Sequence, residues 1–339
     1  METLRLYLDK DRENSIKKAA EILKNGGIVA IPTETVYGLA ANACDDNAIK
    51  SVFTAKGRPQ DNPLIVHIDS MEMLSKVAMD IPDTAYKCAE KFWPGPFTMV
   101  LKASDYVSKS VSAGLSTVAV RMPRDEIARA VISECGLPLA APSANASGSP
   151  SPVTSEHVIK DLDGKIDAVI MGERCSVGVE STVVAIEGDN ARLLRPGAVT
   201  VEMLREIFPH LIVDKAILSE PKAEERVASP GMKYKHYAPS CELYLVEGES
   251  KKYCNFVNTK NDGAALCFKE EADSIKTQTF VFANQRDEEA MAYELFEMLR
   301  KLDEKGIKKA YVHAPSKSGV GLAVYNRLIR ACAFRVVSL

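Results

Sequence analysis

The stretch Lys56-Gly57-Arg58-Pro59-Gln60-Asp61-Asn62-Pro63-Leu64-Ile65-Val66-His67 sets two cations and two prolines in a loop that runs straight into an apolar strand. Lys56 and Arg58 flank a single glycine and precede Pro59, so both can point at one phosphate-bearing ligand, Arg as a rigid donor fork and Lys as a mobile point charge. A solvated surface turn has the same composition, and for an isolated pair of this kind it is the commoner outcome. Other loops must supply the partners that decide between the two.

Several do. Pro32-Thr33-Glu34-Thr35-Val36-Tyr37-Gly38 leaves an apolar strand and packs two hydroxyls, a carboxylate and a phenol into one turn, where Thr33 or Thr35 could equally cap a following helix. The segment from Leu139 to Pro152, with Ser143, Asn145 and Ser151, is a run of small, polar and rigid residues suited to close approach of a ligand. Strands continue after it, so it lies inside a domain rather than between two, where long loops are mostly functional. Arg121 and Arg195 each stand at a strand end beside proline, and could enter one crevice at the sheet edge instead of lying on its rim. Gly178-Val179-Glu180-Ser181-Thr182 adds a hydroxyl pair before a strand; His67 alone would ordinarily be a satisfied core histidine. No G-x-x-x-x-G-K-[ST] loop, G-x-S-x-G elbow or kinase signature occurs, so a nucleotide would be held by side-chain cations. Gly319-Val320-Gly321 is better explained as a helix entry than as a dinucleotide motif.

The elements that must position these residues follow from hydrophobic period. Short apolar strands are expected at Ile28–Pro32, Leu64–Ile68, Phe97–Lys102, Thr117–Met122, Ala168–Met171, Ser181–Ile186 and Arg192–Leu194. Helices are expected at Ser15–Asn25, Asp46–Thr54, Met71–Ala78, Pro82–Phe92, Asp125–Glu134 and Val201–Phe208. Such alternation implies an α/β sheet with buried strands, whose order it leaves open. From about Pro209 to Pro239 the pattern weakens into a polar linker. A second block then has strands at Glu242–Val246, Ala264–Phe268, Thr279–Phe282 and Lys309–His313 and helices at Lys251–Lys260, Asp287–Asp303 and Leu322–Ala331, a small doubly wound unit.

Composition sets the outer bounds. With 339 residues, 46% hydrophobic and 26% charged, two globular domains are expected. A net charge of −3 excludes nonspecific coating of nucleic acid, so any RNA contact would need a local patch. The eight cysteines form no C-x-x-C pair and the five histidines lack metal-ligand spacing, so neither a disulfide framework nor a bound metal is expected. Met1 to Asn14 contains no apolar leader core, and no run approaches the ~18 apolar residues of a membrane span. A cytoplasmic protein without a membrane partner is the expectation.

Lys56-x-Arg58 with Ser143-x-Asn145, together with Pro32-Thr33-Glu34-Thr35-Val36-Tyr37-Gly38-Leu39, Phe92-Trp93-Pro94-Gly95-Pro96-Phe97 and Leu194-Arg195-Pro196-Gly197, resembles the YrdC-like family of threonylcarbamoyl-AMP synthases. The likeness spans most of residues 10–210. Ser229-Pro230-Gly231-Met232-Lys233-Tyr234-Lys235-His236-Tyr237-Ala238-Pro239, followed by a further α/β unit, resembles the longer two-domain form. The resemblance implies a YrdC-like twisted open α/β sheet domain over 1–208, a linker folding as a lid over the site at 209–239, and a smaller C-terminal Rossmann-like α/β domain at 240–339.

It further implies condensation of L-threonine, bicarbonate or CO2 and ATP into threonylcarbamoyl-adenylate with release of pyrophosphate, the first step toward N6-threonylcarbamoyladenosine at position 37 of tRNAs. By resemblance, Lys56, Arg58, Asn62, Thr117, Ser143, Asn145, Ser151, Arg195 and Tyr234 would surround ATP, with Lys56 and Arg58 the catalytic cations. Thr35, His67, Arg121, the Ala141 backbone and Ser181 would hold threonine; a planar fork suits Arg121 to the carboxylate, and Thr35 or Ser181 would read the hydroxyl. Mg2+ is expected with ATP from the chemistry of the nucleotide, not from any ligand cluster. A tRNA or double-stranded RNA contact and a downstream threonylcarbamoyl-transferase are the implied macromolecular partners. Two rivals remain. One is an RNA-binding module using Lys56, Arg58, Arg121 and Arg195 to track phosphates. The other is the carbamoyl-transfer domain of hydrogenase maturation, against which the absence of zinc-type cysteine pairs argues.

Overall fold

The computed structural model describes residues 2–219 and 237–339. In the first unit the strands are β1 (Leu4–Tyr7), β2 (Val29–Ile31), β3 (Gly38–Asn42), β4 (Ile65–His67), β5 (Phe97–Lys102), β6 (Thr117–Arg121), β7 (Leu139–Ala140), β8 (Ala168–Met171), β9 (Thr182–Glu187), β10 (Asn190–Arg195) and β11 (Ile212–Val213). They form one mixed sheet in the order β1-β8-β2-β3-β7-β4-β6-β5-β9-β10-β11. Its helices are α1 (Arg12–Lys24), α2 (Asp46–Lys56), α3 (Met71–Val77), α4 (Asp83–Phe92), α5 (Glu126–Cys135), α6 (Ser155–Leu162) and α7 (Val201–Arg205).

The apolar runs expected to be strands are strands, within a residue or two at each end. The differences lie where the sequence carries little apolar signal. β3 arises from Gly-Leu-Ala-Ala-Asn, too small and glycine-rich to stand out, and it replaces the helix that Thr33 or Thr35 would have capped. Instead Thr33 Oγ1 donates to the Val36 carbonyl and accepts from the Val36 amide, closing a turn between two antiparallel strands. α6 follows the Ser143–Pro152 loop directly, capped by Thr154 through its bond from the His157 amide. β11 pairs with β10, so this sheet continues to Val213, beyond the expected end at 208.

The second unit holds β12 (Glu242–Glu247), β13 (Ala264–Cys267), β14 (Thr279–Val281), β15 (Lys309–His313) and β16 (Val336–Ser338), with α8 (Ser250–Lys260), α9 (Glu288–Glu304) and α10 (Gly321–Ala331). Its sheet is wholly parallel, ordered β14-β13-β15-β12-β16. Gly321 opens α10 and is thus the helix entry anticipated for that glycine pair.

The two units share one core. A single apolar cluster runs from Leu39, Val120 and Ile170 of the first unit through Ile217 and Tyr237 to Met291, Phe296 and Leu328 of the second. Ion pairs rim the junction: Arg300 grips Asp161 at 3.0 and 2.9 Å, and Arg174 lies 3.8 Å over the Tyr293 ring while pairing with Glu294. Burial of that kind fixes the second unit against the loops that form the site.

Candidate active site

Strand register builds the first wall. Alternate residues of a strand share a face. In β4, β6 and β5, His67 stands opposite Arg121 and Arg121 opposite Thr98, so imidazole, guanidinium and hydroxyl form a row at one edge of the sheet. Ser181, immediately before β9, closes the row through a 2.7 Å bond with Thr98. Arg195 ends β10 at the same edge, its Nε and Nη2 donating to the Ser181 carbonyl at 3.0 Å and hydroxyl at 3.1 Å. The same face carries an apolar floor of Ile65, Ala119, Val100, Val183 and Leu194.

The second wall is made of loops. Gly57, at φ +62°, ends α2 in the left-handed region, where glycine has no Cβ penalty, and leaves Lys56 as the last helical residue with its side chain turned inward. Lys56 Nζ donates to the Ser143 carbonyl, to the Asn145 carbonyl at 2.6 Å and to Asn145 Oδ1 at 3.5 Å. Asn145 in turn donates to the Ala146 and Ser149 carbonyls, and Ala144 and Ser147 bond back to Tyr37 and Lys56. The small-residue loop is therefore fastened at both ends. Arg58 Nη2 donates to the Pro63 carbonyl at 3.2 Å, which lays its guanidinium along the loop into β4.

Between the walls lies a cleft that opens to solvent. Its lining brings together Thr35, Lys56, Arg58, His67, Arg121, Ala141, Ser143, Asn145, Ser181 and Arg195 from widely separated parts of the chain. Ser151 is fully buried behind it, donating to Glu180 Oε1 at 2.5 Å. Asn62 is buried next to Pro63, with Oδ1 lacking a partner among the described residues. Thr117 stands at the start of β6, two residues before Ala119, and lines a neighbouring hollow with Val100 and Ala185. Tyr234 lies outside the described residues, as does most of the linker expected to form a lid over 209–239; of its described part, Ile212–Val213 belong to the sheet as β11.

Four residues escaped the sequence reading. Glu34 pairs with Arg121 at 2.8 Å, both side chains buried, while Arg121 also donates to Thr35 Oγ1 at 2.8 Å and to the Gly95 carbonyl at 3.2 Å. Glu180 and Tyr237 line the cleft, and Glu180 is bound by Arg327 of α10 at 2.8 Å. Thr98 supports Ser181. The glutamates stood inside quoted motifs, but their role depends on arginines that sequence distance hides.

Burial sets the electrostatics. It pushes the Glu34 and Glu180 carboxyls up, yet Arg121 beside the first and Arg327 with Arg195 beside the second hold both below the usual carboxylate range. Burial, with Arg121 adjacent, lowers His67 to about 3. Its Nδ1 lies 3.3 Å from the Ile65 carbonyl, so the neutral ring donates there and keeps an Nε2 lone pair. Burial, then Arg58, draws Lys56 well below the normal lysine value, while three oxygen acceptors favour its ammonium form. Both cleft carboxylates are engaged by arginines, and the described residues contain no grouping of three metal-ligating side chains.

Comparison with known proteins extends over both units. Residues 21–197 match the Sua5/YciO/YrdC family model, described as telomere recombination, and residues 199–333 match the model of the threonylcarbamoyl-AMP synthase C-terminal domain. The threonylcarbamoyl-AMP synthase of Pyrococcus abyssi is 42% identical over 98% of both chains. That of Bacillus subtilis is 40% identical over 99% of this chain and 100% of its own. The crystal structure of P. abyssi Sua5 complexed with L-threonine superposes with a TM-score of 0.91 at 38% identity over 100% of both chains. With both domain models matched in sequence and full-length relatives at 42% and 40% identity, the chain belongs to the two-domain threonylcarbamoyl-AMP synthase family of nucleotidyltransferase-type enzymes.

Proposed function

We propose that this chain makes L-threonylcarbamoyladenylate from L-threonine, bicarbonate or CO2 and ATP, releasing pyrophosphate, as the first step toward N6-threonylcarbamoyladenosine at position 37 of tRNAs reading codons that begin with A. The observation carrying this reading is the division of one cleft into two ends: Arg121, Thr35 and His67 at the sheet edge, Lys56, Arg58 and the Ser143–Asn145 loop along the other wall. The threonine complex of the P. abyssi relative supports assigning the first end to the amino acid.

In this reading Arg121 takes the threonine carboxylate, its orientation already set by Glu34, Thr35 and Gly95. Ser181 and Thr35 read the hydroxyl. Ala141 offers its carbonyl, because its amide is bonded to the Ile65 carbonyl. The neutral His67 accepts a hydrogen bond from the substrate amine, which adds to CO2 as its unprotonated form to give a carbamate, the released proton passing to solvent. A carbamate oxygen then attacks the α-phosphorus of ATP in line, the bond to the bridging oxygen breaks, and pyrophosphate leaves. Lys56, Arg58 and Arg195 meet the charge that gathers on the phosphates, and Ser143 and Asn145 place the chain of phosphates against them. Asn62 Oδ1 has an acceptor to give the adenine amine. Thr117 serves a nucleotide that extends past Pro63. Ser151 acts through Glu180. Mg2+ would arrive on ATP and neutralise phosphate charge.

Labelled bicarbonate with ATP and, in turn, threonine, serine and alanine tests the proposal. Threonine-dependent pyrophosphate and a labelled adenylate are expected. Salt-sensitive tRNA binding with no such product would favour the RNA-binding alternative instead.

A further inference from the structure

Among the described residues Arg327 is the largest that is fully buried, and it belongs to the second unit although its ion-pair partner, Glu180, belongs to the first. Its Nε donates to Glu180 Oε2 at 2.8 Å, Nη2 to the Glu180 carbonyl at 3.3 Å and Nη1 to the Pro196 carbonyl at 2.9 Å. Nη1 also meets Asn326 Oδ1 at 2.9 Å, and Asn326 donates to the Ile217 carbonyl. One guanidinium thus clamps the residue preceding Ser181 to the residue following Arg195.

The effect on Glu180 is specific. Arg327 occupies one carboxylate oxygen and Ser151 the other, so Arg195, although near enough for its charge to be felt by Glu180, makes no hydrogen bond to either. Arg195 is bonded to Ser181 through neutral oxygens and makes no ion pair among the described residues. Its charge is left for whatever enters the cleft. Without Arg327, a buried carboxylate with one oxygen unsatisfied would have Arg195 as its nearest compensating cation, because an unpaired buried charge is costly. Arg195 would then be neutralised by the protein itself.

We propose that Arg327 of the C-terminal domain is a positioning residue for the nucleotide end of the site: by holding Glu180 it keeps the Arg195 guanidinium uncommitted and aimed at the triphosphate. This rests on the function proposed above and gives the second domain a part in the chemistry of the first. Threonine affinity is predicted to fall much less than ATP affinity, because Arg121, Thr35 and His67 make no bond to Arg327 and only Ser181, which follows Glu180, links that end of the cleft to it.

Titration calorimetry on the full chain, with ATP and with threonine separately, tests it in Arg327→Met, Glu180→Gln and the double variant. Arg327→Met is expected to weaken ATP about tenfold or more, the change that ~1.4 kcal/mol produces, and to change the threonine Kd by clearly less. In the Glu180→Gln background the same substitution is expected to cost little, since a neutral side chain has no claim on Arg195. An equal loss for ATP and threonine would mark Arg327 as merely structural and overturn the proposal, as would an undiminished ATP affinity. Should Arg327→Met fail to fold, the comparison of Glu180→Gln with the double variant, in which neither member of the buried ion pair remains, decides alone: a tenfold loss of ATP affinity from the first to the second refutes the mechanism. Binding is measured rather than turnover, so wild-type protein that binds ATP without threonine-dependent pyrophosphate release would sink the proposed function and leave this inference standing.

Discussion

Lys56 offers a test in which pH is the perturbation. Its side chain is only 4% exposed, and burial together with Arg58 draws its pKa well below the ordinary lysine value in the protein alone. A triphosphate against Nζ would favour the ammonium and raise that pKa again. Because the bound value lies above the free one, ATP affinity is full below the free pKa and falls as pH rises through it, until the bound pKa is passed. Within that window each pH unit costs about 1.4 kcal/mol, or tenfold in Kd, and binding takes up close to one proton. The assay is calorimetric titration of ATP in two buffers of different ionisation enthalpy across neutral to alkaline pH, for wild type and Lys56→Met. Protonation of the nucleotide's own terminal phosphate is common to both and cancels in the difference. Wild type should show an excess proton uptake and a falling affinity that the variant lacks. Equal uptake and parallel pH curves would refute the reasoning, since Lys56 would then hold the same protonation state with and without ATP.

Three further outcomes are expected. Arg121→Met leaves Glu34 buried without its partner and should cost ~3–5 kcal/mol in urea unfolding; adding Glu34→Gln should recover part of that while threonine binding stays lost, and a double variant no more stable than the single one would contradict the pairing. Glu34 and Glu180 have folded pKa values below their unfolded ones, so the stability they contribute is complete above the unfolded carboxylate range near ~4.3 and is lost as pH falls through the lowered folded values. Unfolding free energies measured from neutral to acid pH should therefore decline more steeply for wild type than for Glu180→Gln. Gly178, at φ +82°, has Ala292 O and Tyr293 Cα 2.5 Å from where a Cβ would stand, so Gly178→Ala should lower the melting temperature by prying α9 from the first unit, at a cost of ~1–3 kcal/mol; an unchanged melt would show that the junction yields.

Much of this molecule was legible before folding. β5, β8 and β15 coincide with their apolar runs because strands buried on both faces announce themselves by composition. β3, β7 and β11 do not, being short, small-residue or edge strands whose existence depends on a partner already in place. The site divided in the same way. Lys56, Arg58, Ser143 and Asn145 were visible as loop chemistry; Lys56 bonds directly to the other loop's Ser143 and Asn145, and Arg58 lines the same cleft. Glu34 and Glu180 were visible as residues but not as supports, because their significance lies in Arg121 and Arg327, which are near only after the sheet and the second unit have assembled.

The opposition of His67, Arg121 and Thr98 has a consequence for how this gene can change. All three lie on one side of the pleat, so the site is written in strand parity. Losing one residue within β6 would turn Arg121 to the far side and expose its neighbour in its stead. Losing two would restore the side but shift the guanidinium by ~6.6 Å along the strand, at ~3.3 Å per residue, past the reach of Glu34. Length variation should thus be tolerated in the loop from Ser104 to Ser116 and forbidden between Thr117 and Arg121. A library of single and double deletions, selected for growth that depends on the modified tRNA, would record that boundary as an abrupt change of tolerance at the first residue of the strand.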